Sequence, residues 1–252
     1  MKLSEKELKS FLDEKVDMYN RSAFIENDPV AIPHKFSKKE DIEIAGFFSA
    51  ILSWGQRKTI ISNANRLMEL MDNSPYEFIM NSGKGHLKVF NKFKHRTFNP
   101  IDTTYFVSSL KNIYLNHGGL EKAFTKPNAK EGMSQFRTIF LSHQSPGRSS
   151  KHISDVAKNS SAKRINMYLR WMVRKDNRGV DFGLWKSIHP ANLYCPLDVH
   201  SGRVARKLGL LTRKQDDWKA VVELTDALKR FDPKDPIKYD FALFGLGVVE
   251  KF

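Results

Sequence analysis

Apolar residues in this chain return every three or four positions, and that spacing constrains its fold more than any other feature. Leu8, Phe11, Leu12 and Val16 form one row; Ile44, Phe47, Phe48, Ile51 and Leu52 a second; Ile60, Ala64, Leu67, Met68 and Met71 a third. The pattern resumes at Tyr105, Phe106, Leu110, Ile113 and Tyr114, at Phe136, Ile139 and Phe140, at Ile165, Leu169, Met172 and Val173, and at Val221, Val222, Leu224 and Leu228. Each row sets its side chains on one face of a helix. Sustained alternation of apolar and polar residues, the mark of half-buried strands, does not occur, so the expected class is all-α. Asp28-Pro29, Ile32-Pro33, Ser74-Pro75, Asn99-Pro100, Lys126-Pro127 and Ser145-Pro146-Gly147 punctuate the rows as short connections. Ser142 to Ala162 carries few apolar positions and reads as a long loop between halves.

A chain of 252 residues, 40% of them hydrophobic, can bury a sizeable core as one unit, residues 1–252. Two lobes sharing a cleft, about 41–141 and 1–40 plus 150–252, are the expected internal division. Forty-two Lys and Arg against 28 Asp and Glu leave +14, a field that gathers polyanions. Nucleic acid is the default partner, with a plain solubility charge as the alternative. No apolar run reaches the roughly 20 residues needed to cross a bilayer, and Met1-Lys2-Leu3-Ser4-Glu5 lacks a signal peptide's hydrophobic stretch. The expected setting is the cytoplasm, away from membranes. A single cysteine, Cys195, excludes an internal disulfide and any zinc or iron-sulfur site held by four cysteines. The eight histidines include no His-Glu-x-x-His spacing, so no metal is expected. Gly245-Leu246-Gly247 lacks the strand and third glycine of a dinucleotide fingerprint, and no phosphate-binding Gly-x-x-x-x-Gly-Lys loop occurs; no nucleotide cofactor is expected.

Three segments carry candidate chemistry. Asp198 follows Pro196-Leu197 and precedes Val199, His200, Val204 and Leu208, with Gly209 placed to end that helix. An aspartate there can be an N-cap and nothing more. Lys163, Met167, Arg170 and Arg174 share one face of the next helix upstream, with Ile165, Leu169 and Met172 on another; that stripe can equally be a solvated basic face. Asp240 lies within the otherwise apolar Phe241-Ala242-Leu243-Phe244 end of its segment, and a buried carboxylate needs partners.

These residues also carry a family resemblance. The run Pro196-Leu197-Asp198-Val199-His200-Ser201-Gly202-Arg203-Val204-Ala205-Arg206-Lys207-Leu208-Gly209-Leu210 resembles the Val-Asp-x-His-x-x-Arg-Val-x-x-Arg-Leu-Gly segment of the helix-hairpin-helix DNA glycosylases, the endonuclease III superfamily. Ala50-Ile51-Leu52-Ser53-Trp54-Gly55-Gln56 resembles the Leu-Leu-Ser-x-Gln segment that presents a DNA-probing glutamine there. The chain as a whole looks like a bacterial family related to that superfamily, with Arg170-Trp171-Met172-Val173-Arg174 and Tyr239-Asp240-Phe241-Ala242-Leu243-Phe244-Gly245 among its blocks. The long interval from Lys163 to Asp198 is similar to that of archaeal 8-oxoguanine glycosylases, whose Leu-Asp-x-x-x-Trp block Asp240 and Phe244 match at the Asp and the aromatic. The hairpin departs from the Leu-Pro-Gly-Val-Gly-x-Lys pattern: Val156-Ala157-Lys158-Asn159-Ser160-Ser161-Ala162-Lys163 has no glycine, though Asn159 can adopt the left-handed conformation one glycine would take.

The resemblance implies a two-lobed helical bundle with a degenerate helix-hairpin-helix and a DNA-binding cleft between the lobes. It implies base-excision repair of double-stranded DNA by a monomer at the bacterial nucleoid, with a damaged base such as 8-oxoguanine flipped from the stack and no cofactor. Lys163 would attack C1′ and Asp198 would stabilise the sugar cation. Asp240, Phe244, Trp54 and Met167 would hold the flipped base, and Gln56 would fill the gap it leaves. Lys58, Arg148, Lys151, Lys158, Arg164, Arg170, His200 and Arg203 would contact DNA, as would Arg206. Trp54 and Phe244 also read as core aromatics. A scaffold without catalysis that binds DNA or RNA structure remains the competing expectation, and a glycosylase without lyase activity a third.

Overall fold

The computed structural model describes residues 3–83, 85–142 and 145–252. Eleven α-helices run through them: α1 (Glu5–Tyr19), α2 (Lys39–Leu52), α3 (Arg57–Glu69), α4 (Pro75–Asn81), α5 (Pro100–Asn116), α6 (Leu120–Phe124), α7 (Ala129–Leu141), α8 (Lys163–Val173), α9 (Val199–Lys207), α10 (Trp218–Lys229) and α11 (Tyr239–Val248). Among the described residues there is no strand, only the isolated bridges His95 to Phe98 and Ser160 to Asp217, so the fold is all-α. No helix among them is long and apolar enough to cross a membrane.

The chain divides into two compact units, a central one, Ile25–Ser154, and a terminal one, Met1–Phe24 with Asp155–Phe252. Residues 25–40, expected with the chain ends, fall in the central unit. Their short turns Pro29–Ala31 and Pro33–Lys35 pack on α2, Val30 and Ile32 are fully buried, and Ser49 Oγ donates to Pro29 O at 2.6 Å.

The core of the central unit is α2, buried on every face from Ile42 to Leu52. A helix apolar all round belongs inside, and Phe47 and Phe48 sit in an aromatic cluster with Phe106, Phe136 and Phe140. Glu43, buried in the same helix, accepts from Tyr114 Oη at 2.8 Å. At the start of α5 the fully buried Asp102 completes a capping box with Asn99 and meets Arg148 Nη1 at 2.8 Å and Ser149 Oγ at 2.7 Å.

In the terminal unit the most apolar helix is α11, which packs on α1 and α9. Its glycines serve close approach. A Cβ on Gly245 would lie 2.1 Å from the Tyr19 ring, and one on Gly247 would lie 3.1 Å from His200. Gly245-Leu246-Gly247 is therefore a helix-packing element.

The segment from Ser142 to Ala162 is not one long loop. It folds into 3-10 turns at Gly147–His152 and Val156–Lys158 that bury Ser149, His152 and Val156. Such turns need no apolar period, which is why composition hid them. His143, in the same segment, lies outside the described residues.

Candidate functional site

The terminal unit brings two helix starts together. Asp198 caps α9: its Oδ1 accepts the backbone N–H groups of His200 at 2.9 Å and Ser201 at 3.0 Å, while Ser201 Oγ accepts the Asp198 N–H at 2.9 Å. Gly209, with φ +73°, ends the same helix. The other carboxylate oxygen, Oδ2, lies 3.7 Å from Lys163 Nζ at the first residue of α8. That distance makes an ion pair, longer than a hydrogen bond. The side chains are 28% and 29% exposed, so water and a ligand can reach both.

The approach to Lys163 is unusual backbone. Asn159 takes the left-handed conformation at φ +64°, closing the Val156–Lys158 turn as a glycine would. Its carbonyl accepts the Trp218 N–H at 3.1 Å and its side-chain amide donates to Asp217 Oδ2 at 2.9 Å, tying the turn to the start of α10. Ala162, immediately before Lys163, is also left-handed at φ +48°, and α8 starts without a side-chain cap.

Beyond this pair the stripe turns inward, where a solvated basic face, with Arg170 as a DNA contact, was expected. Met167, Arg170 and Arg174 are all buried. Arg170 donates to Asp240 Oδ2 and, at 3.2 Å, to Asp181 Oδ1, with its guanidinium over the Phe241 ring at 4.2 Å. Arg174 pairs with Asp181 at 3.0 Å, Asp235 at 2.9 Å and Asp176 at 2.8 Å. Two buried arginines therefore serve four carboxylates, satisfying the partner requirement for Asp240. Burial raises the Asp240 carboxyl to about 6; Arg170 pulls it down, and the nearby Asp198 pushes it up. Burial likewise raises the Cys195 thiol, which leaves it a poor nucleophile.

The other expected residues sort by exposure. Phe244 is half-buried with its edge to Phe24, ring centres 5.6 Å apart. His200, Lys158 and Arg203 are exposed; Arg203 also donates to Gly247 O at 3.0 Å. Arg164 is half-buried, and burial lowers its guanidinium to about 10. Arg206 is held by Asp216 at 2.6 Å.

Trp54, Gln56, Lys58, Arg148 and Lys151 belong to the central unit. Gln56 is exposed at the start of α3 and makes no side-chain cap, and Lys58, the second residue of the helix, is exposed. Trp54 is half-buried beneath Arg96, whose guanidinium carbon lies 4.7 Å from the ring centre. Arg148 is engaged by Asp102, Asn99 and the Thr97 carbonyl, a structural anchor more than a free phosphate contact. Lys151 is exposed.

Sequence reasoning missed Asp181, Asp235 and Arg96. The two aspartates gave no signal because their partners come from another helix. Arg96 follows from nothing short of the turn it occupies. Among the described residues no group of His, Cys, Asp and Glu could hold a metal ion.

No curated protein and no solved structure matches the chain. Residues 28–249 match the family model described as "Protein of unknown function (DUF2400)", and with the match covering all but the ends of its 252 residues, the chain belongs to that family.

Proposed function

We propose that this protein is a DNA glycosylase with abasic-site lyase chemistry, acting as a cytoplasmic, nucleoid-associated monomer on duplex DNA that contains an oxidised purine such as 8-oxoguanine. One observation carries the reading: Asp198 divides its oxygens, Oδ1 to the helix cap and Oδ2 to the half-open space beside Lys163. A carboxylate at a helix N-terminus is fixed in place by the first-turn amides and aimed. Placed beside an amine, it suits a reaction that develops positive charge on a sugar.

In this reading Lys163 first gives up a proton to solvent, and Asp198 keeps its negative charge for the sugar cation. The amine attacks C1′ as the glycosidic bond breaks; the bonding pair leaves with the base, which takes up a proton. A second proton leaves nitrogen, and the ring oxygen O4′ takes up a proton and the bonding pair as C1′–O4′ breaks, which gives the Schiff base. Removal of a C2′ proton then expels the 3′ phosphate, and water releases Lys163. In the terminal unit Asp240, Phe244 and Met167 would receive the flipped base; the central unit would supply Gln56, with Trp54, as the probing group. Asp240 meets Arg170 already, so base recognition there would work with that pair intact or rearranged.

The competing reading, a binder without catalysis, is favoured by the glycine-free hairpin and its left-handed Ala162. Incubation with a duplex carrying 8-oxoguanine opposite cytosine, followed by borohydride, tests all readings. The proposal expects a covalent protein–DNA adduct that Lys163→Ala abolishes. Trapping that survives Lys163→Ala contradicts the Schiff-base role. Base release without trapping points to a monofunctional glycosylase, and duplex binding with neither points to the binder.

A further inference from the structure

The outer face of α3, in the central unit, carries a groove of about 690 Å³ lined by Lys35, Lys58, Ser62, Asn65, Arg66 and Glu69. Positions 58, 62, 66 and 69 recur at helical spacing and so share one face. Lys58 and Arg66 are exposed and stand two turns apart, about 12 Å along the axis, the rise of three to four nucleotides in a duplex strand. Lys35, exposed on the turn before α2, donates from Nζ to Asn65 Oδ1 at 2.6 Å, which fixes a third cation beside that line. Glu69 is the acid in the lining, at the far end, so the groove has an excess of two positive charges.

The head of the same helix carries a fourth cation. His95 and Phe98 exchange backbone hydrogen bonds at 2.9 Å, making Arg96 and Thr97 a two-residue turn. Arg96 has φ +54°, a conformation that glycine takes freely and an L side chain does not. It is exposed and lies over the indole of Trp54. Gly55 makes room for it: a Cβ there would fall 3.0 Å from Arg96 Nη1, and its own φ is +109°. The strained turn, the indole beneath the guanidinium and the space left by Gly55 together fix where Arg96 lies.

We infer that α3 binds the phosphodiester backbone of duplex DNA, with Lys58, Lys35 and Arg66 along the groove and Arg96 at its head. Spaced single cations with hydroxyl and amide donors between them suit a repeating monovalent anion. The inference rests on the proposed function only in naming DNA as the polyanion, and it concerns affinity, not bond cleavage.

The test is fluorescence anisotropy of a short undamaged duplex, with the binding constant followed between about 50 and 200 mM salt. Lys35→Ala/Arg66→Ala lowers the slope of log K against log salt by about 2, and Arg96→Ala by about 1. A control pair of the same charge, Lys6→Ala/Lys219→Ala, exposed in the terminal unit, leaves the slope unchanged. Circular dichroism checks folding, and Lys58→Gln/Arg66→Gln repeats the test if the first pair unfolds. An unchanged slope in folded groove variants overturns the inference, as does an equal drop in the control pair. So does binding of a polyglutamate peptide through these residues with none of duplex. Because this duplex is undamaged, absence of both base release and borohydride trapping with the 8-oxoguanine duplex refutes the glycosylase and leaves this result standing.

Discussion

Three helices among the described residues begin with a carboxylate-bearing capping box, α1, α5 and α9, and the caps of the last two are built for different ends. At α5, Asp102 is fully buried, with Arg148, Ser149 and the Asn99 N–H on its oxygens and His152 Nε2 at 3.3 Å. At α9, Asp198 is 29% exposed, spends one oxygen on the cap and turns the other to Lys163. A saturated carboxylate has nothing left to offer a ligand. One with a free-facing oxygen beside an amine has both a fixed position and unspent charge, and that difference separates scaffold from candidate chemistry.

The sharpest way to break the contrast is to remove the saturated cap. Asp102→Ala strands Arg148, Ser149 and His152 around a buried hole and destabilises the protein by about 3 kcal/mol, read by urea unfolding. A loss below about 1 kcal/mol would mean that the two caps do not differ as described.

A smaller effect belongs to Asp240, whose carboxyl burial raises from 3.8 to about 6. Between those values the folded state holds more protons than the unfolded chain, so this group's contribution to stability falls as pH rises through the window. The fall runs through that window and levels off above about pH 6. Asp240→Asn flattens that part of the stability profile relative to the parent between pH 4 and 6, whatever its effect on absolute stability. Identical slopes in parent and variant would contradict the account of a carboxylate held against its preference.

The smallest effect concerns the turn that leads into α8. Ala162→Gly relieves a left-handed alanine and stabilises by about 1 kcal/mol, a rise of roughly 2–4 °C in the thermal midpoint. A drop instead would show that the Ala162 methyl, which is buried, outweighs the backbone strain.

Helices announced themselves in the sequence because their burial is periodic: Leu8, Leu12 and Val16 on α1, and Ile60, Ala64, Leu67 and Met68 on α3, are all buried as spaced. The N-cap at Asp198 and the stop at Gly209 were legible for the same local reason, since each acts on its own helix. The inward turn of Arg170 and Arg174 was not, because a basic stripe reads as solvated until Asp181, Asp235 and Asp240 arrive from elsewhere in the chain. Ala162 was silent because alanine carries no preference for the left-handed region it occupies. The Lys163–Asp198 pair lies between these cases: each residue stood out locally, and their separation of 35 positions became 3.7 Å only in the folded chain.

The measurement that bears most directly on Asp198 is single-turnover base release from a duplex carrying 8-oxoguanine by Asp198→Asn. The amide keeps an oxygen for the His200 and Ser201 N–H groups while removing the charge that faces Lys163. The account predicts release slowed by about 100-fold or more, with a thermal midpoint within a few degrees of the parent. Release at the parental rate from the folded variant would return Asp198 to a helix cap.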